Sequence, residues 1–414
     1  MIVWHNRIKQ VICLAVFGLY AVAAGAAGLG PDVRIGIMEG QSQASVTGAE
    51  PFVVVKDGKQ WKRFGTNAAV PITFKNGTVY VNGAASKASV MIQPVDESGV
   101  IIIGGKPYRG KLEFIKSPRQ WGMTVVNHVP VEQYLYGVVG KEMSPSWNPE
   151  ALKAQAVAAR TYAFFHKGYF QSRGFDMTDD TASQAYGGVR AESSAVQQAV
   201  NATNGEILTY GGKPIDALFF TSGGGYTENS ENVWGDFVPY LRGVSDDSNK
   251  MPAYRWQVTV TAAELARKLE AAGKGVGSIR SITLSPLKKR PIAASDRGVS
   301  GRVKTVVFNG TAGSVTVKGN SFQQILGLRS TLFDFYQGNR IPEDIDSFSP
   351  NRGTVLKVNG SSPLTIVGFG WGHGLGMSQW GAQQMAQDFR GGHQNYYRYI
   401  LEHYYSNTKL TKLY

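Results

Sequence analysis

An α+β fold is predicted for this chain of 414 residues, with a β-rich N-terminal part, a mixed helix and sheet core, and an inserted α/β segment. Three observations predict it. Apolar and polar residues alternate through 32–130, between Asn-Gly and Asp-Gly turn signals. A capped, Ala-rich run free of glycine and internal proline follows at 149–167. The order β-rich, helix, sheet, insertion, Gly-rich loop, helix then fits α+β.

Each element rests on local chemistry. Val33, Ile35 and Ile37 alternate with polar or small residues, as do Val79 and Val81; Val53–Val55 and Ile101–Ile103 are short apolar runs suited to strands. Asp57-Gly58, Asn76-Gly77 and Asn82-Gly83 mark turns, and Trp121–Val126 reads as one more strand. Asn148 can accept from free amides at a helix start, and Pro149 suits the first helical position. Leu152, Ala156, Ala159 and Ala163 share one face of that helix, and their small size implies a close neighbour. A second helix is expected at 191–203 and strands at 206–210 and 215–222. Residues 256–340 read as the insertion: Thr261 caps a helix through Ala272, and Ile279–Leu284, Val303–Phe308 and Ser314–Val317 read as strands. A Gly-rich stretch at 368–376 and helices near 377–388 and 394–404 complete the chain.

The amino terminus reads as an export signal. His5, Arg7 and Lys9 precede 17 uncharged residues, Val11 to Ala27, which end in small side chains. Residues 1–27 are therefore expected to be a signal peptide of a protein exported to the periplasm or cell wall. The rival reading is an uncleaved membrane anchor, since the span sits at the lower edge of bilayer thickness. Cys13 is the only cysteine, so a mature chain without it has no disulfide and no thiolate metal site. The net charge is +13, which draws a protein to polyanions; outside the membrane these are wall polymers and lipid headgroups, not nucleic acid.

Two acids stand out. Glu132 lies near a helix start, where the helix dipole stabilises a carboxylate. Glu142 follows Val138 and Val139 and precedes Met143 and Pro145. A carboxyl group in such surroundings loses solvation, stays protonated to higher pH, and can act as a general acid on a glycosidic oxygen. The plainer reading makes it a cap or a salt-bridge partner of Lys141 or Arg160.

The run EALKAQAVAARTYA, placed after a Glu-Met pair and Trp147, resembles the SpoIID/LytB family of wall proteins. Four further blocks agree, in the family's order: Phe219–Glu228, Ser300–Val303, Leu326–Thr331 and Gly370–Ala382. The resemblance covers roughly 107–410, which leaves 32–106 as a separate β-rich segment and 107–414 as the family-like domain, with the insertion at about 256–340.

The resemblance implies a lytic transglycosylase, with Glu142 as its single acid and base. Protonation of the oxygen between MurNAc and GlcNAc and closure of the sugar's own C6 hydroxyl on the anomeric carbon would leave anhydro-MurNAc ends. Around Glu142, Arg160 can orient it or bind a sugar acid group, or can be a structural ion pair. Ser222, Gly223 and Gly224 suggest amides open to a polar ligand, or simply a tight turn. Trp234, Trp371 and Trp380 can stack on sugars or merely pack. His373, Ser378 and Gln379 can line the site.

Partners follow from the same resemblance: glycan strands of peptidoglycan, and a wall amidase if the chain is instead a non-catalytic enhancer. A structural wall anchor is a third reading, supported by charge alone. Some family members place His and Cys before Gln-Ala-Tyr to hold zinc. Here that place reads Ala182-Ser183-Gln184-Ala185-Tyr186, so neither zinc nor another cofactor is expected. The Gly-rich stretch fits neither nucleotide-binding pattern.

Overall fold

The structure is a computed structural model that describes residues 28–252, 254–338, 341, 343, 353–360, 362–389, 391 and 395–414. The expected export segment, residues 1–27, lies outside the described residues. Among the described residues no helix is long and apolar enough to cross a membrane.

Two antiparallel sheets form the N-terminal part. The larger runs in the order 177–178, 32–41, 123–130, 111–116, 90–94, 52–56 and 59–64, and only its first pairing is parallel. The smaller runs 106–109, 100–103, 43–48, 70–75, 78–81 and 84–85. The turn signals act as expected. Asp57, Asn76 and Asn82 have φ of 54°, 50° and 47°, and the glycines after them 77°, 77° and 80°. Positive φ at both central residues is what a tight hairpin needs to match strand twist.

The expected division at 106/107 is not a structural boundary. Strand 90–94 pairs with 111–116, and strand 32–41 pairs with 123–130. Ile35, Val54, Ile72 and Ile101 share one buried core with Val125, Leu135 and Ala156. Sequence spacing cannot reveal such pairing, because the partners are set by sheet order rather than by local pattern.

Helix α1 (Val131–Glu142) leaves directly from strand 123–130. Helix α2 (Pro149–Phe165) follows, with the Asn148 side chain accepting from the Glu150 amide at 2.9 Å. Alanines 151, 154, 156, 158, 159 and 163 are all buried, so α2 is a central helix that neighbours approach closely. It contacts α1, α3 (Ser194–Ala202), and the later α7 and α8. A short α4 spans Ser230–Val233.

The insertion has its own core. Helix α5 (Ala262–Ala271) carries the complete capping box of Thr261 and Glu264. With α6 (Gly319–Leu326) it packs near a four-stranded sheet in the order 313–318, 305–310, 279–283 and 355–357. A three-stranded sheet, 255–260, 364–369 and 333–336, joins the same core. The insertion thus closes on Leu364–Phe369 and not near 340. That strand runs straight into the Gly-rich loop. Trp256 Nε1 donates to the Gly370 carbonyl at 3.0 Å, and the Gly370 amide donates to Tyr254, so both ends of the insertion are fastened together beneath the loop. Helices α7 (Gln379–Asp388) and α8 (Tyr397–Tyr404) return to the main core.

Candidate active site

Glu142 ends α1, where the Met143 amide donates back to Val139 and the chain turns out of the helix. Its carboxyl group is held from two sides. The Ala185 backbone amide donates to Oε1 at 3.1 Å, and Gln379 Nε2 donates to Oε2 at 3.0 Å. Burial pushes the carboxyl above the usual carboxylate range; the Gln379 and Ala185 hydrogen bonds and nearby Lys141 pull it partly back. Burial favours the neutral carboxyl, and the two donors favour its ionised form.

Three separate segments meet here. Gln379 is the first residue of α7, and Ser378 is its N-cap, accepting from the Gly381 amide at 3.1 Å. Asn148 ties the same helix to α2, with its amide on Gln383 Oε1 at 2.9 Å and its side chain on the Ala386 carbonyl at 3.0 Å. Trp147 meets Trp380 edge to face at 4.7 Å beside this joint. Gly381 is required at its position: a Cβ there would stand 1.9 Å from Asp246 Oδ1 and 2.0 Å from the Tyr404 hydroxyl. The first turn of α7 therefore rests directly on a buried Asp246–Tyr404 hydrogen bond of 2.7 Å.

The loop that carries Ala185 is held by its own side chains. Thr178 Oγ1 donates to Asp180 Oδ1 at 2.8 Å, the Ala182 amide donates to the same oxygen at 2.9 Å, and the Thr178 amide donates to Ser183 Oγ at 3.1 Å. These hydrogen bonds brace the loop at Ala182 and Ser183, just before Gln184-Ala185-Tyr186. Among the described residues no group of three or more His, Cys, Asp or Glu could hold a metal ion.

The other expected site residues divide sharply. Arg160 does not reach Glu142. Its guanidinium is wholly buried, donates to both Glu132 oxygens at 2.7 Å, and donates to the carbonyls of Glu206 and Val200. Of the two readings left open by sequence, the ion pair is the one observed. The Ser222 and Gly223 amides are taken by the protein itself, and Gly224 is buried. Ser222 is fully buried and exchanges two backbone hydrogen bonds of 3.0 Å with Trp371, while its hydroxyl meets Ser248 at 2.8 Å. The Gly223 amide donates to Asp246 Oδ2 at 2.9 Å, and the Gly224 carbonyl accepts from Arg290. Ser378 Oγ is likewise taken, by Gly381 and Gly223. These residues bind the protein to itself because each faces a buried acid or a neighbouring strand that the sequence could not place.

Aromatic side chains gather beside the N-cap of α7, where Phe220 pairs with Ser378. The His373 ring lies 5.2 Å from Phe220 and 5.8 Å from Trp234, and its Nδ1 accepts from the Leu375 amide at 3.0 Å. Burial, with the Arg302 cation adding to it, lowers His373 to a pKa of about 4, so the ring is neutral near pH 7. Trp234 is 51% exposed and Trp371 46%. Arg302 Nη1 donates to the Gly372 carbonyl at 2.9 Å and joins the Gly-rich loop to the insertion.

Sequence reasoning missed one contributor, the Ala185 amide, which lies in the stretch read only for zinc ligands.

Comparison with known proteins finds relatives across most of the chain. The family model described as Stage II sporulation protein (SpoIID) matches residues 119–210, and a domain of unknown function (DUF8618) matches 229–376. Stage II sporulation protein D of Bacillus subtilis (strain 168) is 32% identical over 303 residues, covering 69% of this chain and 76% of that protein. The Bacillus amyloliquefaciens protein of the same name gives the same identity and coverage. The amidase enhancer of B. subtilis is 32% identical over 346 residues, 78% of this chain and 47% of that protein.

Proposed function

This chain belongs to the SpoIID family of stage II sporulation proteins, and on that premise we propose that it cleaves peptidoglycan glycan strands as a lytic transglycosylase. Its role is a cell-wall one, and its place of action is outside the membrane, at the wall. The observation that carries the reading is the setting of Glu142, a carboxyl group raised by burial yet faced by two donors.

In the proposed reaction one group acts twice. Protonated Glu142 gives its proton to the oxygen between MurNAc and GlcNAc, and the bond from that oxygen to the anomeric carbon breaks. Glu142, now ionised and held by Ala185 and Gln379, takes the proton of the MurNAc C6 hydroxyl while that oxygen bonds to the anomeric carbon. The carboxyl is restored, no water is consumed, and no second carboxylate is needed as nucleophile or base. Trp234 and Trp371, both exposed, supply faces on which further sugars can stack.

Mass spectrometry of products from peptide-free glycan strands tests the reading. Anhydro-MurNAc ends are expected from the wild type and none from Glu142→Ala. A second reading, a glycan-binding activator of a wall amidase, is favoured by the match to the amidase enhancer. It takes over if neither protein forms anhydro ends while both accelerate an amidase.

Gln379 offers a finer test. Its hydrogen bond favours the ionised carboxyl, so removing it raises the Glu142 pKa further. Gln379→Ala is expected to move the alkaline limb of the rate–pH profile upward and to lower the maximal rate. An alkaline limb at its wild-type position would separate Gln379 from the reacting carboxyl.

A further inference from the structure

One end of the N-terminal sheets gathers positive charge. Lys56 and Lys59 flank the hairpin turn of strands 52–56 and 59–64 and face each other in register. Lys75 opens the turn at 75–78, and Lys116 reaches over that turn, its ammonium 3.6 Å from where a Gly77 Cβ would stand. Lys87 lies on the next loop, which Asp57 pins against the first turn by accepting from Ser86 Oγ at 2.8 Å, the Lys87 amide at 2.7 Å and the Ala88 amide at 2.9 Å. The one acid among these turns is thus occupied as a loop fastener. Between the loops runs a groove of about 650 Å³, walled by Gly77–Val79, Ala85–Ser89 and Ile115–Lys116. Trp121, 66% exposed, sits edge-on to Phe74 at 5.5 Å, at the same end.

Lysines on an edge strand can simply prevent sheets from pairing with one another. That accounts for Lys59 alone. Lys116 ends an inner strand, and Lys75 and Lys87 stand on turns, where no free edge needs guarding. Two acids stand beside the groove, Asp57 fastening the 86–88 loop and Glu113 held by His128 and Ser89, and the lysines outnumber them; like charges in excess repel one another, and an anion placed among them relieves that repulsion.

The groove shares no lining residue with Glu142 or its hydrogen-bond partners Ala185 and Gln379. Strands 32–41 and 123–130 pair Gln41 with Met123 at the cationic end and Asp32 with Pro130 at the other, where α1 departs. An eight-residue strand spans roughly 25 Å.

We propose that this groove binds a linear, phosphodiester-linked polymer of the wall, a hold on the wall separate from the site of Glu142. Lysine ammonium groups meet the phosphates, the groove follows the chain, and Trp121 offers a face to a sugar or polyol unit.

The test is titration of the full chain with poly(glycerol phosphate), at low and at physiological salt, beside vesicles containing phosphatidylglycerol. The wild type is expected to bind the polymer, and more weakly as salt rises. The triple variant Lys59→Glu, Lys87→Glu, Lys116→Glu is expected to lose about tenfold or more in affinity and to show a shallower salt dependence. The same three positions changed to arginine keep the charge and are expected to retain binding, which separates charge from folding. Unaltered polymer binding by the glutamate variant would overturn the proposal. So would binding to vesicles but not to polymer, which would make the end a lipid-facing surface. None of these readings involves glycan cleavage, so they stand apart from any result at Glu142.

Discussion

Glu142→Gln is expected to lower glycan cleavage by about 10²–10⁴-fold while the protein stays folded. The substitution keeps the shape of the side chain and removes only its ability to exchange a proton. Both neighbours remain satisfied. The Ala185 amide keeps an oxygen acceptor, and the Gln379 amide can turn to offer its own oxygen to the new NH₂ group. A pH-dependent gain in stability is expected as well. Burial raises the folded-state pKa of Glu142 above its unfolded value. The stability of the buried neutral carboxyl is full below the unfolded pKa and is lost as pH rises through the folded pKa. An amide does not ionise and loses nothing over that window. Melting temperatures of variant and wild type should therefore diverge as pH increases, with the variant higher. Product formation followed by mass spectrometry, together with thermal melts on either side of the window, checks both parts. A variant that still forms anhydro ends would remove Glu142 as the acid.

Arg160→Ala is expected to cost about 3–5 kcal/mol, a large share of the roughly 5–15 kcal/mol by which a typical domain is stable. The pair it breaks is fully buried and bidentate. Removing the guanidinium leaves the Glu132 carboxylate in the interior, with only the Gly205 amide at 3.3 Å and the Tyr414 hydroxyl at 2.5 Å to face it. The carbonyls of Glu206 and Val200 lose a donor at the same time. Lysine does not replace arginine here, because one ammonium cannot match two carboxylate oxygens and two carbonyls along a planar fork. The double variant Glu132→Leu, Arg160→Met removes both charges and is expected to recover part of the loss. Urea denaturation of the three proteins measures this. Unchanged stability with weakened glycan binding would return Arg160 to the substrate.

The sequence by itself determined what depends on neighbours along the chain. The hairpins at Asp57-Gly58, Asn76-Gly77 and Asn82-Gly83 formed because those residues tolerate positive φ whatever surrounds them. The caps at Asn148 and Thr261 formed because an oxygen at a helix start meets free amides a few bonds away. The desolvation of Glu142 was legible for the same reason, since its apolar flanks travel with it in α1. Tertiary structure alone decided which groups meet across long separations. Gln379 reaches Glu142 from 237 positions away, and only the docking of α7 on α2 brings it there. Arg160 met Glu132 instead of Glu142, and the Gly223 amide met Asp246 instead of a ligand. Strand 364–369 carried the Gly-rich loop into place through a sheet whose pairing no local pattern announces. Backbone and cap preferences act over a few residues and are written in their order. Which buried donor finds which acceptor is settled only when the whole core closes, because each polar group that loses water must take whatever partner the packed chain provides.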